Sequence, residues 1–229
     1  MVSNINYVSK YYIKKEINLL MMKITILRQN YIIFKQLKFK DGCANIQKVI
    51  PRAIQYISTA LLDKIIIELS KLVVDINKDD LCINSFIRKY EENKKHFKEQ
   101  KYIYVKEFNT GKRHRHYLDT NAIEKDFEDL ENFLKTNVHI RNFLKKTRDK
   151  RVAHNDKRMS FDSKYLPIEL KQRITYDEIS KYIDGLFNKM NQIYFTLFKT
   201  QYAPYFTDAY NELNYLNEIL GQVNNDKNK

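Results

Sequence analysis

Glycine, proline and tryptophan are nearly missing from this chain: 229 residues hold four glycines, three prolines and no tryptophan. A chain with so few places to turn sharply favours long helices over the many tight turns of a sandwich or barrel. There are two cysteines, Cys43 and Cys82. They are too few for a disulfide framework and are expected to be reduced thiols in a cytoplasmic protein. No apolar run is long enough to cross a bilayer, since "INLLMMKITIL" stops at Lys23 and "YISTALLDKIIIELSKLVV" carries Asp63, Lys64, Glu68 and Lys71. The N-terminus has no uninterrupted apolar segment with a small-residue cleavage site, so neither a signal peptide nor a membrane partner is expected. No glycine-rich phosphate loop and no serine-nucleophile elbow occurs.

The chain carries 41 Lys and Arg against 28 Asp and Glu, a net charge of +13. Such an excess suits a polyanionic partner, above all nucleic acid. It also follows from a composition rich in Lys, Asn, Ile and Tyr together, so the location of the charge matters more than its sum. The hydrophobic fraction of 43% is enough for a sizeable core and too large for a disordered chain.

Apolar spacing of three and four predicts a first helix over residues 5–36, through Ile13, Ile17, Leu20, Ile24, Leu27, Tyr31 and Phe34. Gly42 and Pro51 then break the pattern, and Pro51 suits the first turn of a second helix over 51–74. Its stripe of Ile54, Ile57, Leu61, Ile65, Leu69 and Leu72, widened by Leu62, Ile66 and Val73, predicts a central helix. After a loop, a charged helix is expected over 81–97. A β-hairpin is expected at 101–118, where β-branched and aromatic residues flank "NTG".

Asp119 or Thr120 caps the next helix, which is read as continuous into residues 143–158, with Ile123, Phe127, Leu130, Leu134, Val138 and Leu144 on one face. A loop with Pro167 follows. Thr175 and Glu178 form a capping box for another long helix, which Pro204 ends or kinks. A short helix over 205–220 and a disordered tail at 221–229 complete the chain. The expectation is one domain over 1–229, all-α, an antiparallel helical bundle with a small β-hairpin excursion.

The stretch "FLKKTRDKRVAHNDKR", residues 143–158, concentrates charge. Lys145, Lys146, Arg148, Lys150, Arg151, Lys157 and Arg158 face only Asp149 and Asp156, beside His154. Metal-free RNA cleavage needs a group that moves protons near neutrality and fixed positive charge on the phosphate. Histidine supplies the first and arginine the second. A basic helix end that complements its own dipole is the plainer reading of the same residues.

Arg148, Asp149, Lys150, Ala153, His154 and Asp156 spell R-D-K-x-x-A-H-x-D. This resembles the abortive-infection type of the HEPN superfamily, and "TALLDKIIIELSKLVVD" at 59–75 is similar to that group's central helix. The likeness covers most of residues 15–200. It implies an all-helical HEPN-type bundle and a metal-independent endoribonuclease acting as a toxin or phage-defence effector. No cofactor is implied.

The resemblance further implies a homodimer whose two motifs meet in one cleft, with RNA as the partner and a cognate antitoxin or neighbouring defence protein as another. Arg148, Asp149 and His154 take the catalytic roles. Lys145, Lys146, Lys150, Arg151, Asp156, Lys157 and Arg158 take RNA-binding ones. On a straight helix Arg148 and His154 lie about 120° apart and ~9 Å apart in rise, whereas Arg151 lies much closer to His154 on the wheel. Wheel geometry therefore selects Arg151. The family pattern selects Arg148, and so does its place five turns beyond Leu130 on the apolar stripe.

A catalytically inactive HEPN module that binds RNA or a partner protein is the alternative. A helical adaptor whose basicity is compositional is a third reading. Where some HEPN toxins carry a modifiable tyrosine two residues after the histidine, this chain has Asp156. That departure argues against control by that modification.

Elsewhere the signals are weaker. His114 and His116 would share one face of a strand and could hold a metal, but no matching cluster accompanies them. His96 and His139 read as surface or structural residues. Asp63 and Glu68 read as pairing groups or the wet edge of their helix, and most of the 17 tyrosines as core and interface.

Overall fold

A computed structural model describes residues 5–39, 44–75, 81–99, 102–106, 113–153, 174–200, 202 and 215–219. For 5–12, 14, 96, 97, 99, 102–106, 113–116 and 150–153 it describes the backbone alone. The chain is mostly helical: α1 (Ile5–Lys38), α2 (Ala44–Val49), α3 (Pro51–Val73), α4 (Ile83–Glu99), α5 (Thr120–Thr136), α6 (Val138–Ala153) and α7 (Tyr176–Phe198). Between α4 and α5, β1 (Tyr102–Lys106) pairs antiparallel with β2 (Arg113–Tyr117), Tyr102 opposite Tyr117 and Lys106 opposite Arg113. Among the described residues no helix is long and apolar enough to cross a membrane. The disordered tail expected at 221–229 lies outside the described residues.

Two compact units divide the chain. One comprises 1–25, 71–142 and 174–204, the other 26–70, 143–173 and 205–229. The core of the first unit is an apolar seam between α5 and α7. Ile123, Phe127, Leu130 and Leu134 repeat along α5, and Ile179, Ile183, Leu186, Met190, Ile193 and Leu197 along α7, all buried. Each such side chain contributes about 1.5–3 kcal/mol on leaving water. Tyr90 of α4 stacks flat on Phe127, with ring centroids 3.7 Å apart and planes 5° apart. Ion pairs close the edges: Lys94 and Lys98 of α4 on Glu124 of α5, Lys89 of α4 on Glu16 of α1, and Lys189 of α7 on Asp129 of α5. Inside the seam Thr196 donates to the buried Asp126 carboxylate at 2.5 Å.

Both expected caps are present. Asp119 accepts from the amides of Asn121 and Ala122 at the start of α5. Thr175 and Glu178 complete a reciprocal capping box on α7. In contrast to the expectation at Pro204, α7 stops at Phe198. There Lys199 turns left-handed at φ 54° and its amide bonds the Phe195 carbonyl.

The second unit holds the last turns of α1, α2, most of α3, the later turns of α6 and a helical segment at 215–219. Leu37, Ile46 and Ile54 form a small core here, backed by Ile33 and Leu61. The short α2 occupies a stretch in which Gly42 and Pro51 suggested no helix. Asn45 holds it to the 215–219 segment through a paired exchange, its amide and side chain bonding the side chain and carbonyl of Asn217.

The stripe expected along α3 is also shifted. Ile57 is 50% exposed, and Ser58 is buried in its place. The inward face runs Ile54, Ser58, Leu62, Ile65, Leu69, at steps of four, four, three and four. Apolar character on both sides of the first two turns hid which side turned inward.

Candidate functional site

The helix leading into the charged stretch is not continuous. Asn137 separates α5 from α6 and satisfies both ends. Its side-chain amide donates to the Phe133 carbonyl at 2.8 Å, while its own carbonyl accepts from the amides of Ile140 and Arg141. One residue thus closes a helix and opens the next. The break resets the register, so Val138, expected on the buried face, is 51% exposed. The five-turn continuation from Leu130 to Arg148 therefore does not hold as a single stripe.

Within α6 a new stripe begins. Ile140, Leu144 and Thr147 are buried at steps of four and three. Arg148 lies four residues after Leu144, and its side chain is 20% exposed. It therefore sits on the flank of the inward face, a position reached from within α6 alone.

Arg148 Nε donates to Asp149 Oδ1 at 3.1 Å. Consecutive residues on a helix do not ordinarily face one another, so the Arg148 side chain must curl along the surface to make this bond. The Asp149 carboxylate is 53% exposed, and such a pair adds at most about 1 kcal/mol to stability. Its consequence is orientation: it fixes a guanidinium, a rigid fork suited to phosphate oxygens. Lys145 and Lys146, one turn earlier, are exposed. They add positive charge, and among the described residues no partner fixes them in place.

Lys150 and Arg151 lie on the helical backbone of α6, but their side chains lie outside the described residues, as do His154, Asp156, Lys157 and Arg158 entirely. The pair brought together is thus Arg148 with Asp149. On β2 the backbones of His114 and His116 stand opposite Val105 and Ile103. Among the described residues no group of three His, Cys, Asp or Glu side chains is placed to hold a metal ion. Asp63 and Glu68 are half-buried on α3, and His139 is half-buried in the first turn of α6.

Three groups near this region escaped the sequence reading. Arg141, in the first turns of α6, donates from Nε to the Val73 carbonyl at 3.0 Å, capping the C-terminal end of α3. Asn84 of α4 donates to the same carbonyl at 3.2 Å. Thr147 is 3% exposed, and its hydroxyl finds no hydrogen-bond partner among the described residues. Arg141 is legible only as a basic residue, whereas Thr147 has a signal in its seven-residue step from Ile140.

The model of the HEPN family described as AbiU2 matches residues 47–219, three quarters of the chain. Comparison with curated proteins gives no match, and comparison with solved structures gives none.

Proposed function

The chain belongs to the AbiU2 family of HEPN domains, an abortive-infection module, and from that premise we propose that it is a metal-independent endoribonuclease acting as a toxin or phage-defence effector. One observation carries the assignment of roles. Arg148 is half sunk on the flank of the inward face of α6 and held by the adjacent carboxylate of Asp149. A guanidinium fixed in that way is pre-organised for a phosphate, because little of its side-chain freedom remains to be lost on binding.

In this reading His154 takes the proton of a ribose 2′-hydroxyl. The freed oxygen attacks the adjacent phosphorus, the bond to the 5′-oxygen breaks, and that oxygen receives a proton. The products are a 2′,3′-cyclic phosphate and a 5′-hydroxyl end. Arg148 carries the negative charge that gathers on the phosphate, and Asp149 keeps Arg148 in position. Two copies of the chain bring their motifs into one cleft, so that the arginine of one subunit serves the histidine of its partner. Lys145, Lys146, Lys150, Arg151, Asp156, Lys157 and Arg158 line the path of the RNA.

The test is cleavage of total RNA by purified protein in EDTA. The wild type is expected to cut. His154→Ala and Arg148→Ala are expected to lose activity with fold and dimerisation unchanged, and Asp149→Asn to retain a reduced rate. Cleavage that survives His154→Ala undiminished overturns the proposal. Loss with Arg151→Ala but not with Arg148→Ala moves the phosphate-binding role one turn along α6. RNA that is bound but never cut identifies a non-catalytic module.

A further inference from the structure

The second unit carries another basic surface, away in sequence from residues 143–158. Residues 26–62 contain Arg28, Lys35, Lys38, Lys40, Lys48 and Arg52 against the single acid Asp41. Lys35, Lys38, Lys48 and Arg52 are all exposed. None of the four takes part in a hydrogen bond or ion pair among the described residues.

These four cations stand on segments fixed to one another. The last turn of α1, α2 and the first turn of α3 supply Leu37, Ile46 and Ile54 to the same small core. The Gln47 side chain also donates to the Leu37 carbonyl at 2.6 Å. The outward side of this packed corner carries cations together with two exposed rings. Lys35 and Lys38 on α1 and Phe39 just beyond its end fall at helical neighbours, and the Phe39 amide still bonds the Lys35 carbonyl at 2.9 Å. Phe39 is 41% exposed.

Across Pro51 the helical path persists, because Ile50 bonds back to Ile46 and Ile54 to Ile50. Lys48, Arg52 and Tyr56, at steps of four, therefore follow one side over ~12 Å. Tyr56 is 49% exposed. Glu218, exposed on the segment that docks at Asn45, is an acidic neighbour of this surface.

Gathering like charges on one face is unfavourable by a few tenths of a kcal/mol per helical pair. A polyanion relieves that repulsion. Rings interleaved with cations suit a polyanion whose bases lie open for stacking, which is a single strand and not a duplex. A bilayer-lying helix instead separates an apolar face from a charged one. Here α3 buries Ile54 and Leu62 in the core, and the exposed Val49, Ile50 and Ile57 lie among the cations instead of forming a separate face.

We propose that Lys35, Lys38, Lys48 and Arg52, with Phe39 and Tyr56, form a single-stranded RNA-binding surface additional to the cleavage motif. The inference rests on RNA being the substrate of this protein.

The experiment titrates full-length protein against a fluorescent 2′-O-methyl RNA, which lacks the attacking hydroxyl and stays intact, across a range of salt concentrations. Each lost phosphate contact lowers the slope of log affinity against log salt by about 0.7. Replacing the four cations with Gln is therefore expected to lower it by nearly 3, roughly a 200-fold loss at 0.15 M salt. Tyr56→Ala is expected to weaken binding at least about fivefold with the slope unchanged. All five side chains are exposed, so the variants should keep the wild-type circular dichroism. A slope unchanged in the four-site variant overturns the surface. So does loss of binding to phosphatidylserine vesicles with RNA binding intact. Failure of the wild type to bind or cut any RNA overturns the ribonuclease reading itself. Unimpaired cleavage and binding by the four-site variant overturns this surface alone.

Discussion

Gly185, in the middle of α7, sets how closely α5 and α7 approach. A β-carbon at that position would lie 2.6 Å from Phe133 Cε2 and 2.9 Å from Cζ, well inside contact distance. The Phe133 ring has little room to retreat, because it stacks on Tyr182 at 5.2 Å between centroids and 16° between planes. Tyr182 is itself 2% exposed.

Two opposed effects determine the outcome of Gly185→Ala. Alanine in a helix interior gains about 1 kcal/mol over glycine. Forcing an added carbon into a packed seam costs about 1–3 kcal/mol. The net is a destabilisation between zero and about 2 kcal/mol, a fall in melting temperature of up to roughly 8 °C for a chain of this size. Phe133→Leu removes the two ring atoms that the new carbon would meet. In that background Gly185→Ala should raise stability by about 1 kcal/mol, the helix preference now acting unopposed.

Urea and thermal denaturation of the four proteins give the coupling directly, expected at about 1–3 kcal/mol. A coupling below about 0.5 kcal/mol, with Gly185→Ala acting alike in both backgrounds, would refute the claim that this glycine is required for close approach.

The remaining expectations concern titration and capping. Burial raises the Asp126 carboxyl above its ordinary range, while hydrogen bonds from Thr196 and Gln192 pull it the other way. The folded chain therefore holds that proton more tightly than the unfolded one. The stability it contributes is present below about pH 3.9 and lost as the pH rises through the raised value. Asp126→Asn, neutral at every pH and still able to accept from Thr196, should exceed the wild type in urea midpoint at neutral pH. The two should converge in acid. A wild-type advantage at neutral pH would contradict this. Thr175→Ala removes the cap of α7 and should cost about 1 kcal/mol, or about 2–4 °C in a melting scan. Thr175→Ser should restore most of it.

What the sequence disclosed about this fold depended on whether a signal was local. The capping box at Thr175 and Glu178 needs only four consecutive residues, and it formed as expected. The seam along α5 was equally plain, because polar residues separate Ile123, Phe127, Leu130 and Leu134. The break at Asn137 was hidden. Asparagine is an ordinary helix resident, and only the three-way use of its groups makes it a joint. The inward side of α3 was ambiguous for a different reason: Ile57 and Ile54 are equally apolar, and their neighbours in space decide between them. At the candidate site the family resemblance pointed to Arg148 and Asp149, whereas spacing on the helical wheel pointed to Arg151. An orienting role for Asp149 followed from the resemblance, but the wheel gave no sign of the bond, since adjacent positions on a helix diverge by about 100°.

The Val73 carbonyl accepts from both Arg141 and Asn84. The tail of one helix and the opening turns of two others thus converge on a main-chain oxygen. An anchor of that kind is indifferent to the side chain at its own position. Residue 73 is free to change to any apolar group that fills the same space, and the junction survives. The vulnerability lies entirely with the donors: the long reach of Arg141 and the short amide of Asn84 have no near substitutes. A chain that drifts in sequence can therefore replace the hub and must keep the spokes, including the one in the helix whose later turns carry Arg148.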